Sequence, residues 1–89
     1  MVSDTAADHK SKATEFFAEG NYDAAIKSYS HAIIDEPTDY LLYANRSAAY
    51  ASTEKYQESL RDAEKCIQLN PKYDKGFARK AIAQLFLDR

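Results

Sequence analysis

The stretch Leu42-Tyr43-Ala44-Asn45-Arg46-Ser47-Ala48-Ala49-Tyr50 decides how the chain folds. It is helix-forming and rich in small residues. Its two tyrosines stand seven apart, about two helical turns, so both rings fall on one face. Asn45 lies between them as a bare amide in an otherwise small or apolar neighbourhood. Just upstream, Thr38 or Asp39 offers a short oxygen side chain that caps the helix by accepting from free backbone amides. This helix is expected to end near Thr53.

Further helices flank it on both sides. Upstream, Met1 to Asp4 reads as a frayed lead-in, and Asp4 or Thr5 caps a helix from Ala6 to Glu19 that carries Ala13, Phe16 and Phe17 at helical spacing. Gly20-Asn21 breaks it, since both residues tolerate positive φ. A second helix runs from about Tyr22 to Asp35, and Pro37 stops it by disfavouring helix at Glu36. Downstream, Tyr56 to Leu69 carries an apolar stripe of Leu60, Ala63, Cys66 and Ile67, and Asn70-Pro71 ends it. A fifth helix starts near Tyr73 or Asp74 and reaches the last residues. No period-two alternation lasts long enough for a strand.

Positions 34 apart correspond: Pro37 with Pro71, Tyr22 with Tyr56, Ile33 with Ile67, Ala32 with Cys66, Tyr43 with Phe77, and Ala13 with Ser47 and Ala81. A helix-turn-helix unit recurring at that period resembles the tetratricopeptide repeat. The small residues fit that pattern mechanically. Ala13, Ser47 and Ala81 stand where paired helices cross, and Ala25, Ser59, Ala32 and Cys66 where neighbours meet. Larger side chains there would hold the axes apart. The expected fold is all-α: about two and a half repeats (6–39, 40–73 and the first helix of a third, 74–89) in one module, 1–89. Such units stack into a right-handed superhelical solenoid whose first helices line a concave groove. The fifth helix ends in Ile82, Leu85, Phe86 and Leu87 with nothing to cover them. That predicts an excised or truncated module, or self-association through this helix.

Composition narrows the function. Eighty-nine residues make one domain at most, and a net charge of −2 argues against a general nucleic-acid binder. No apolar run approaches the ~20 residues that span a bilayer. The N-terminus is polar, and the single cysteine excludes an internal disulfide. A cytosolic protein, or a cytosolic piece of one, fits these features. His9 and His31 have no metal-ligand spacing to each other or to Cys66, and Cys66 reads as a small core residue. No nucleophile–base constellation, phosphate loop or carboxylate pair stands out. The reading is therefore no enzyme, no cofactor and no metal. The tyrosines read as core with hydroxyls at the edge, and the acidic residues as solvated helix surface.

In register, the groove-facing positions are Lys10, Thr14 and Phe17 in the first repeat, Leu41, Asn45 and Ala48 in the second, and Lys75, Arg79 and Ile82 in the third. Two lysines, an arginine, an amide and a hydroxyl thus converge on a small or apolar wall. No acidic residue is on that wall, so the groove suits an anion. Lys75 and Arg79 share a helix face and are expected to be exposed.

Tyr43-Ala44-Asn45-Arg46-Ser47-Ala48-Ala49-Tyr50 and Lys75-Gly76-Phe77-Ala78-Arg79-Lys80-Ala81 resemble the clamp-type tetratricopeptide domains of chaperone adaptors. Most similar are the N-terminal modules of heat-shock organising, stress-inducible co-chaperones. The resemblance implies a two-carboxylate clamp for a peptide ending Glu-Glu-Val-Asp, the tail of cytosolic heat-shock chaperones of the seventy- or ninety-kilodalton class. It assigns Lys10 and Asn45 to the terminal carboxylate, and Lys75 and Arg79 to the aspartate side chain or upstream acids. Thr14, after Ala13, stands where the family carries asparagine. Two other readings stay open: an assembly scaffold that needs no free C-terminus, and a targeting domain of a larger enzyme such as a phosphatase or ubiquitin ligase. Neither nucleic acid nor membrane is an expected partner.

Overall fold

A computed structural model describes residues 5–89 and contains five helices: α1 (Ala6–Ala18), α2 (Tyr22–Asp35), α3 (Tyr40–Ser52), α4 (Tyr56–Leu69) and α5 (Asp74–Leu87). No strand occurs among the described residues. Met1 to Asp4, including Asp4 as a candidate cap, lie outside them. The cap of α1 is Thr5. Its hydroxyl accepts from the Asp8 amide at 3.2 Å, and the Asp8 carboxylate accepts from the Thr5 amide at 3.0 Å. That reciprocal box satisfies two orphan donors. The Thr5 amide and hydroxyl hold the Asp8 carboxyl below its ordinary range. Asn21 caps α2 through the Ala24 amide, and Asp39 rather than Thr38 caps α3 through the Leu41 amide. Gly20 takes φ +79° at the first turn. Glu54, its counterpart in the second repeat, takes φ 62° and is the described non-glycine residue at positive φ.

Consecutive helices pack side by side, and α3 also touches α5. Small residues make the close approaches expected of them. Ala13, Ala25, Ala32, Ser47 and Cys66 are fully buried. Where α3 crosses α4, the Ser47 and Ser59 hydroxyls each donate to the other's carbonyl, at 2.8 and 2.9 Å, so the polar crossing is satisfied. Burial pushes the Cys66 thiol up. Tyr29 and Tyr43 are buried, and the Tyr43 hydroxyl donates to the Pro37 carbonyl at 2.7 Å at the core's edge. The remaining tyrosines are half-buried.

Two expectations need correction. Ala81 corresponds to the buried Ala13 and Ser47 yet is exposed, because α5 packs on α4 and α3 and no helix among the described residues covers the Ala81 face. Nor are all acidic residues solvated. Asp62 on α4 is 5% exposed and takes both Nε and Nη2 of Arg46 on α3 at 2.7 Å. Burial raises the Asp62 carboxyl while the guanidinium pulls it back. Arg46 also donates to Ser30 on α2 at 3.0 Å and lies over the Tyr43 and Tyr50 rings. This one side chain ties three helices together, and its charge offsets the cost of burying Asp62.

Candidate functional site

Helices α1, α3 and α5 bring side chains to a shared concavity. A cleft of about 450 Å³ is lined by Phe17, Ala48, Tyr56, Arg79, Ile82 and Phe86 among others. A smaller hollow of about 90 Å³ adjoins it, lined by Phe17, Tyr29, Asn45, Ala48 and Arg79. Phe17, Ala48 and Ile82 thus line the groove as their register predicts. Leu41 does not, standing 42% exposed outside both spaces.

The five expected polar residues divide into two groups. Asn45 and Arg79 come together in the hollow. Asn45 is half-buried, and its side-chain amide makes no hydrogen bond among the described residues. Arg79 is half-buried rather than exposed, and its Nε is buried without a hydrogen-bond partner. A buried donor with no acceptor carries a desolvation cost of about 1–3 kcal/mol, so the hollow is suited to an oxygen acceptor. Lys75 stands exposed one turn before Arg79.

Thr14 and Lys10 belong to the other group, outside the hollow. The Thr14 hydroxyl donates to the Lys10 carbonyl at 3.0 Å, the local turn-back open to threonine in a helix. The Lys10 ammonium pairs with the Glu36 carboxylate and, at 3.0 Å, with that of Asp39. Both carboxylates hold the Lys10 pKa above its ordinary value. The expectation of a wall without counter-charge therefore fails at this end. Register places first-helix residues only, and these acids arrive from the α2–α3 turn.

Register missed several lining residues, three aromatic rings among them. Tyr29 reaches the hollow from α2. Tyr56 stacks on Phe86 with ring centroids 4.6 Å apart and planes 7° apart, forming an aromatic wall of the cleft. The Tyr22–Tyr56 correspondence was the available signal, and in the first repeat Tyr22 likewise meets a groove ring, Phe17, edge-on at 5.1 Å.

Known proteins resemble this chain in sequence and fold. A family model described as tetratricopeptide repeat matches residues 40–73. The chain is 43% identical over 82 residues to Hsp70-Hsp90 organizing protein 3 of Arabidopsis thaliana, covering 92% of this chain and 15% of that protein. It is 41% identical over 80 residues to serine/threonine-protein phosphatase 5 of Homo sapiens, covering 90% of this chain and 16% of that one. The chain thus spans under a fifth of the length of these two relatives. Among solved structures, the second such domain of Spaghetti (RPAP3), bound to the HSP90 peptide SRMEEVD, superposes with a TM-score of 0.91 at 38% identity. That match covers 94% of this chain and 78% of the other.

Proposed function

The chain belongs to the tetratricopeptide repeat family, and from that premise we propose that it is a co-chaperone adaptor module. It binds the acidic C-terminal tail, of Glu-Glu-Val-Asp type, of cytosolic heat-shock chaperones of the seventy- or ninety-kilodalton class. One observation carries the reading: the free Asn45 amide and the unpartnered Arg79 Nε converge on one hollow beside an apolar cleft. Lys10 and Asn45 meet the terminal carboxylate, with Thr14 beside them. Lys75 and Arg79 meet the aspartate side chain or the acids upstream. The site spans all three first helices, so the module works as one unit over 1–89, with repeats 6–39, 40–73 and 74–89. The Spaghetti domain, solved with a peptide ending in that sequence, supports the assignment.

The chemistry is recognition, with no catalytic step in these residues. Charge-assisted hydrogen bonds contribute about 1.5–3 kcal/mol each, net. A few of them in an open groove give a Kd on the order of micromolar, about −8 kcal/mol. A cytosolic partner places the module in the cytoplasm, and no helix among the described residues is long and apolar enough to cross a membrane. Similarity to phosphatase 5 favours a second setting for the same recognition, as the targeting part of a larger enzyme.

Calorimetry with an acidic peptide ending Glu-Glu-Val-Asp tests the proposal. The free acid should bind at least about tenfold more tightly than its C-terminal amide, a difference of roughly 1.4 kcal/mol. Equal binding of both would replace the clamp with a scaffold that needs no free C-terminus.

A further inference from the structure

Glu36 and Asp39 are not needed as acids to build the turn they occupy. The equivalent turn of the second repeat carries Asn70 and Tyr73, and Asn70 turns its side chain onto the Lys72 amide instead. In the first turn both carboxylates converge on Lys10. They are held there by backbone: Glu36 ends α2, Asp39 caps α3, and the Asp39 amide bonds the Glu36 carbonyl at 3.2 Å. An ammonium has three donors, and this pair takes two of them. A ligand carboxylate arriving at Lys10 meets one remaining donor and two like charges within a few ångströms.

We propose that Glu36 and Asp39 act as internal competitors for the ligand's carboxylate at Lys10, positioning residues that set the affinity and selectivity of this groove. The inference rests on the clamp reading given above. Its consequence is a division of labour. With the pair in place, Lys10 meets the ligand's carboxylate against two internal rivals, and Asn45, Lys75 and Arg79 carry the larger share of the recognition. When the pair is neutralised, Lys10 becomes available and the site gains a full partner for a terminal carboxylate. The pair also selects by charge. It disfavours ligands with further acids near the terminus more than ligands with one.

The experiment compares wild type with Glu36→Gln/Asp39→Asn, each with and without Lys10→Ala, against an acidic peptide ending Glu-Glu-Val-Asp as free acid and amide. Asparagine retains the helix cap at position 39. Glu36→Gln alone serves as a second variant that leaves the cap untouched. Removing two like charges a few ångströms from the ligand is expected to tighten free-acid binding by about tenfold. The amide should gain much less. Lys10→Ala should weaken free-acid binding in both backgrounds, by about threefold in the wild type and by more than about tenfold where the pair is neutralised. That coupling would not follow from a merely structural role for the turn. If neutralisation leaves free-acid affinity flat or weaker while Arg79→Ala still lowers it, this inference falls and the clamp stands. If no version of the protein distinguishes free acid from amide, the clamp reading itself falls, and the inference with it.

Discussion

Thr14 shows how one side chain limits a site. Its hydroxyl is already donated to the Lys10 carbonyl at 3.0 Å, and a β-branched side chain in a helix is stiff at χ1. Asparagine would place an amide on a longer arm with two N–H groups. Thr14→Asn should therefore tighten binding of a free-carboxylate peptide by roughly 0.5–1.5 kcal/mol, the net value of one hydrogen bond, and leave the amidated peptide unchanged. Calorimetry showing no gain for the free acid would refute it. Lys55 offers a stability counterpart. It occupies the cap position of α4 without a side-chain cap bond, whereas Asn21, at the same place in the first repeat, caps α2. Lys55→Asn should raise stability by about 1 kcal/mol in urea unfolding. An unchanged midpoint would show that the first amides of α4 are satisfied by solvent.

At the scale of helices, the Arg46–Asp62 pair joins α3 to α4 and reaches α2 through Ser30. Asp62→Ala would strand a mostly buried guanidinium, so a loss of about 3–5 kcal/mol is expected by denaturant unfolding. Replacing both partners with apolar residues, Arg46→Met with Asp62→Leu, should restore most of it. A double variant as unstable as the single one would mean that the pair contributes through net attraction, not through the cost of leaving one charge alone. The pair also shows what sequence can and cannot reveal. Helices, turns and the crossing residues were legible because each recurs in the next repeat: Ala13 with Ser47, Ala32 with Cys66, Pro37 with Pro71. Arg46 and Asp62 correspond to Lys12 and Ser28, and Lys10 with Glu36 and Asp39 corresponds to Ala44 with Asn70 and Tyr73. Contacts that do not repeat leave no periodic signal. Part of the groove's apolar lining, Phe17, Ala48 and Ile82, was legible by register, whereas Leu41 stands outside it and Tyr56 and Phe86 were missed. The acids that answer Lys10 were not legible, since a turn outside the first helices supplies them.

Across the whole molecule, the described stack leaves one face of α5 uncovered. The structure measures 48 × 26 × 16 Å, a thin body in which each helix depends on its neighbours for cover. On α5, Phe77 is 50% and Leu85 56% exposed, and Ala81, a crossing position in the other repeats, is bare. Exposed apolar residues grouped on one helix mark an interaction surface. The chain is therefore expected to self-associate, with a sedimentation coefficient that rises with concentration. Leu85→Glu places a charge on that face at a site with little burial to lose, so it should yield a monomer while changing stability by no more than about 0.5 kcal/mol. Peptide affinity tells the surface apart from the groove, because Leu85 lines neither of the two spaces described. A monomeric Leu85→Glu variant that binds the free-acid peptide as the parent does would place self-association and recognition on separate faces. Loss of peptide binding along with the monomer would instead make the groove dependent on the associated state. A wild-type chain that stays monomeric at all concentrations would show that α5 tolerates its exposed face unaided.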